Sequence, residues 1–166
     1  MTNKPEQTQP LTHEHRLLIA SQFGLIFEWA AAAGLDMENE SEDAPDTPDI
    51  LDEIIRWWHA QPEDARPERD DTVFAIGIAL GDFLRHVLDV EWCTIDGPDG
   101  VEFALLNEKG DGQHLFWPIS TVHKRFDGSP DGLVCDFLDG LFENELVQAL
   151  QRAEGDEPEP LLPDEE

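Results

Sequence analysis

At Leu88 the spacing of apolar residues changes period, and that change constrains the fold more than any other feature of the chain. Before it, Ile76, Leu80, Phe83, Leu84, Val87 and Leu88 recur on one face of a helix expected over about Thr72 to Leu88. After it come "VEWCTID", the turn Gly97-Pro98-Asp99-Gly100, "VEFALLN", "EKGDG" and "QHLFWPIS". Two β-prone runs parted by turn formers, then a third behind a glycine-rich reversal, predict an antiparallel meander of three strands. Pro118 should end the third strand or leave it at an edge. A helix that runs straight into a meander must lie back across it to bury its apolar face, so the fold class is α+β.

Two glycines interrupt that helix. Gly77 and Gly81 lie about one turn apart, and each costs a helix interior roughly 0.5–1 kcal/mol relative to Ala. Retaining both predicts that a strand or helix packs against the backbone there.

The rest of the chain reads as helices joined by acidic loops. Leu17, Leu18, Phe23, Ile26, Phe27 and Ala30 give a first amphipathic helix ending at Gly34. From Asp36 to Asp49 seven acids and two prolines mark a solvated loop. A second helix follows from Thr47 or Asp49, either of which could cap it, to Ala60; Ile50, Leu51, Ile54, Ile55, Trp57 and Trp58 form its wide apolar face. A short helical turn is expected over Ile119 to Phe126. One last helix is expected from Leu133 to Ala153, with Leu138, Leu141, Phe142, Leu146 and Leu150 at core spacing. The expected organisation is a disordered polar lead-in over 1–11, one domain over 12–153, and an acidic disordered tail over 154–166.

The formal net charge of -28, with only ten Lys and Arg, opposes approach to nucleic acid and to anionic lipid. An apolar fraction of 40% is that of a folded chain rather than a disordered one. The acidity has two readings: it keeps the protein dispersed, or it offers a surface that imitates a nucleic-acid backbone or docks on a basic partner. No apolar run is long enough to span a bilayer, and "MTNKPEQTQPLTHEH" lacks the apolar core of a secretion signal, so a cytoplasmic location is expected. Cys93 and Cys135 form no CxxC pair and read as small core residues.

Few residues suggest chemistry. His13 and His15 in "THEH" lack a third metal ligand at a favourable spacing. Asp136 and Asp139, one turn apart, are a carboxylate pair of a kind that this composition produces almost anywhere. Ser120 and His123 have no nucleophile elbow or oxyanion loop beside them. "GDG" at 110–112 is a turn and not a phosphate cradle. The expectation is therefore no cofactor and no metal. Two features remain as interaction candidates. Lys124-Arg125, beside His123, is the only adjacent basic pair; its plainer reading is an internal salt bridge. Trp57 and Trp58 are adjacent on a helix, about 100° apart, so unless that helix is broadly covered one indole is exposed to anchor a partner.

The stretch from about 72 to 150 resembles a bacterial family known as domain of unknown function 3806. The features that carry the likeness are Ala79-Leu80-Gly81, Trp92, Asp99-Gly100, Ala104-Leu105, Trp117-Pro118-Ile119-Ser120 and Lys124-Arg125. Trp117 stands where the family pattern has Phe. The resemblance implies the helix-and-meander fold and no assigned activity. The function expected is that of a non-catalytic intracellular protein acting through contact with an unidentified protein partner. The alternatives are an acidic mimic of nucleic acid that sequesters a basic DNA-binding protein, and an enzyme with an unrecognised site.

Overall fold

In a computed structural model, which describes residues 8–38, 44–108, 114–153 and 155–162, helices and an antiparallel sheet share one hydrophobic core. The elements run β1 (Thr8–Pro10), α1 (His13–Ala32), α2 (Thr47–Ala60), a 3-10 turn (Glu63–Ala65), α3 (Arg69–Val87), β2 (Glu91–Gly97), β3 (Gly100–Asn107), β4 (His114–Phe116), α4 (Pro118–Arg125), α5 (Leu133–Phe142) and α6 (Glu145–Ala149). The fold is α+β, as the change of period at Leu88 requires. The reversal read at 109–112 lies outside the described residues.

The sheet has four strands in the order β1-β2-β3-β4, each pair antiparallel, where the sequence predicted three. The added strand comes from the polar lead-in: Thr8 pairs with Ile95 and Pro10 with Cys93. Thr-Gln-Pro has no strand-like alternation of its own, and it becomes a strand because β2 offers it a row of backbone donors and acceptors.

Side chains at the helix termini fix where helices begin. Thr12 caps α1 by accepting from the His15 amide at 3.2 Å, while the His15 ring accepts from the Thr12 amide at 3.2 Å. Asp46, rather than Thr47 or Asp49, caps α2 by accepting from the Asp49 amide. The expected last helix is two: one ends at Phe142 with Glu143 as its C-cap, and Asn144 caps the next by accepting from the Leu146 amide at 2.9 Å. α5 begins at Gly132 without a cap of its own. The buried carboxylate of Asp52 on α2 supplies it, accepting from the Val134 amide at 2.7 Å and the Cys135 amide at 3.0 Å.

α3 is the central element, its Ala75, Ile76, Ile78, Leu80 and Leu84 almost fully buried. One face of the sheet, with Trp92, Phe103 and Leu105, joins the core around it; the other carries a smaller cluster of Cys93, Ile95 and Ala104 under Leu106, Leu115 and Trp117. Cys93 is buried as expected, whereas Cys135 is half-buried, its thiol 3.5 Å from an Asp49 oxygen. Residues 155–162, read as tail, run back over the helices: the buried Arg85 donates to the Glu159 carbonyl, and Arg16 donates to the Leu161 carbonyl at 3.0 Å.

Candidate binding groove

One stripe of α3 runs Asp70, Phe74, Gly77, Gly81, at spacings of four, three and four that keep them on one helical face. α4 lies antiparallel along it, since Pro118 and Ile119 meet its glycines and His123 meets Arg69. A Cβ built on Gly77 would stand 2.6 Å from Ile119 Cα, and one on Gly81 would stand 2.3 Å from the Trp92 ring and 3.0 Å from Pro118. This is the close approach that the two glycines predict. No side chain fits between the helix and its neighbours there.

Where the stripe carries Asp70 and Phe74 instead, α4 and β3 stand off and leave a groove of about 710 Å³. Its walls are Asp70, Val73 and Phe74 of α3, Val101, Glu102 and Phe103 of β3, Trp117, and Ile119, Ser120, His123 and Lys124 of α4. Val101 is 51% exposed in that wall. Phe74 and Phe103 close the floor with ring centroids 6.0 Å apart.

Arg69 fastens α4 across the end of the groove. Its guanidinium donates to both oxygens of Asp127, at 3.0 and 2.8 Å, and to the His123 carbonyl at 3.2 Å. These hydrogen bonds hold the Asp127 carboxyl below its usual 3.8. Arg69 Nη1 also lies 3.3 Å from His123 Nδ1. A guanidinium can only donate, so Nδ1 accepts and the proton of the neutral ring sits on Nε2. The ring therefore lines the groove as a donor. A Ser–His–carboxylate relay needs the opposite polarity, with an acceptor behind the ring, so Ser120 and His123 are not arranged as such a pair.

The basic pair predicted as one feature is split. Lys124 lines the groove, and no ion pair to it is found among the described residues. Arg125 turns the other way, donating to the Thr121 carbonyl at 3.2 Å and lying 5.1 Å over the Phe137 ring. Trp57 and Trp58 stand apart from the groove. Trp58 is buried, donates from Nε1 to the Pro67 carbonyl at 2.9 Å and carries the Arg66 guanidinium 4.7 Å above its ring; Trp57 is half-buried against the core. Asp70, Phe74, Val101 and Phe103 were not among the candidate site residues of the sequence, and Trp117 entered it only as part of the family resemblance. The stripe on α3 was the available signal, since its bulky half predicts a gap wherever its glycine half predicts contact.

Among the described residues no three His, Cys, Asp or Glu side chains are grouped to hold a metal ion. His15 is engaged in the α1 cap and packs edge-on against Phe103 at 5.4 Å. Asp136 and Asp139 are both exposed on α5. Burial pushes the Cys93 thiol up to about 11, and burial with the neighbouring Asp52 pushes Cys135 up to about 12, so neither is poised as a nucleophile. No described helix is long and apolar enough to cross a membrane.

No curated protein and no solved structure matches the chain. A family model does, over residues 50–134, from α2 through strands β2, β3 and β4 and α4 to the start of α5. Its span takes in every wall of the groove. The chain belongs to the family described as Domain of unknown function (DUF3806).

Proposed function

We propose that the chain is a non-catalytic binding protein of the bacterial cytoplasm that acts through protein–protein contact, with the groove between α3, α4 and β3 as its contact site. The observation that carries this reading is the combination in one groove of an apolar floor, a half-exposed Val101, and the donors His123 and Lys124. A concave apolar surface with a few converging polar groups is the usual form of a binding site. The charge of -28 selects for partners with a basic surface and speeds their encounter.

The test is affinity capture from the native cell with the parent chain, Val101→Arg, and Phe27→Arg as a control on an equally exposed apolar residue of α1. A partner held by the parent and by Phe27→Arg but lost on Val101→Arg supports the groove. A partner that survives Val101→Arg and is released steeply as salt is raised assigns the contact to the acidic surface instead, which is the mimicry reading.

A further inference from the structure

We infer that the groove takes an extended segment of a partner protein, alternating basic and apolar residues, as an added strand on the open edge of β3. This rests on the binding-groove reading and specifies its chemistry.

The edge follows from the register. Gly97 and Gly100 face each other across the two-residue turn Pro98-Asp99, so the main-chain groups of Gly100 point to β2. Alternation then turns those of Glu102, Ala104 and Leu106 to β2 as well, and those of Val101, Phe103, Leu105 and Asn107 to the opposite side. β4 takes up only the last two, pairing Phe116 with Leu105 and His114 with Asn107. The chain then leaves the sheet at Trp117 and Pro118 to form α4. Among the described residues no strand continues the row beside Gly100–Ala104. The N–H and C=O groups of Val101 and Phe103 thus face outward within the groove wall, the arrangement that strand addition uses.

The pleat fixes which side chains such a strand must carry. Residues on the same face as Val101 and Phe103 enter the groove toward Phe74 and Ile119 and must be apolar. Residues on the other face lie beside Glu102, whose carboxylate, with the charge of the whole chain, selects Lys or Arg. Across the groove Lys124 and the Nε2–H of His123 supply donors for the carbonyls on the outer edge of the added strand.

The experiment uses the full chain and three capped seven-residue peptides: alternating Lys and Val, alternating Glu and Val, and the Lys and Val peptide N-methylated on alternate residues. The Lys and Val peptide should bind and slow hydrogen exchange at the Val101 and Phe103 amides by about tenfold or more, while the other two bind at least about tenfold more weakly. Val101→Pro removes an outward amide without touching the β2 ladder, a place where an edge strand tolerates Pro, and should weaken the peptide by about tenfold. The inference is overturned by absence of binding, by binding that leaves those two amides unprotected, or by equal binding of the N-methylated or the acidic peptide. If the native partner still depends on Val101 while these peptides fail, the groove stands and strand addition falls.

Discussion

The two halves of α3 face the same neighbours with opposite results. Over its middle and second half Gly77 and Gly81 bring Ile119 and Trp92 onto the backbone, and the interface is closed. Over its first turns Asp70 and Phe74 occupy the same stripe, and the interface opens into the groove. α4 is one helix of eight residues packed along both halves, so side-chain size along a single row decides where the interface is closed and where it opens. The closed half also fixes the geometry of the open one, because Pro118 and Ile119 set the line along which Ser120, His123 and Lys124 are presented.

The sharpest way to break this comparison is to fill the closed half. Gly81→Leu gains helix propensity, yet it must displace the buried Trp92 ring, and overpacking of this kind costs about 1–3 kcal/mol. Urea unfolding should show a clear net loss of stability. A variant more stable than the parent would mean that Trp92 and α4 yield freely and the glycines are not what closes the interface.

A second contrast concerns how helices are held. α4 is held by close approach, whereas α5 is held by the Asp52 carboxylate at its N-terminus. Asp52→Ala leaves two amides of the first turn without their acceptor and should cost about 1–2 kcal/mol, with Asp52→Asn recovering part of it. Equal stability of Asp52→Ala and parent would show that apolar packing alone seats α5.

The open half should tolerate what the closed half cannot. Val101→Thr, in the groove wall, should leave stability within about 0.5 kcal/mol of the parent by the same urea measurement. A loss comparable to that of Gly81→Leu would mean that the groove wall is part of the packed core.

The smallest expected effect is a pH dependence at the end of the groove. Arg69 holds the Asp127 carboxyl below 3.8, so the pair stabilises the fold above that pH, and the contribution is lost as pH falls through the lowered value. Arg69→Gln should flatten the acid limb of the stability curve below about pH 4 and leave its slope above pH 5 unchanged. An unaltered acid limb would show that Arg69 does not tie α4 to α3 in solution.

Much of the framework was legible in residues. The change of period at Leu88, the Gly-Pro-Asp-Gly turn and the apolar spacing of α2 and α3 are local signals, because periodicity and turn chemistry act over a few neighbouring positions. α1 departs from its predicted face: Leu17, Leu18 and Phe27 are exposed, and Ile19, Gln22 and Trp29 are buried with Ile26 and Ala30. The candidate site was legible only in part. His123 and Lys124 were singled out and do line the groove, but Arg125, one residue on, turns about 100° away along the helix and belongs to another surface. The adjacent tryptophans carried no site signal that the groove uses, since Trp58 is spent on the core and the Pro67 carbonyl.

By itself the sequence determined the α+β class, the hairpin at 97–100, and the fact that something must press on Gly77 and Gly81. Those follow from backbone preference and burial pattern, which each residue carries with it. Tertiary structure alone decided that Thr8–Pro10 becomes a strand, that Asp52 caps a helix more than eighty residues away, and that the edge of β3 at Val101 and Phe103 opens into a groove. In each of these the hydrogen-bonding partner, or the gap where one could sit, is contributed by a distant part of the chain, and no local pattern records it.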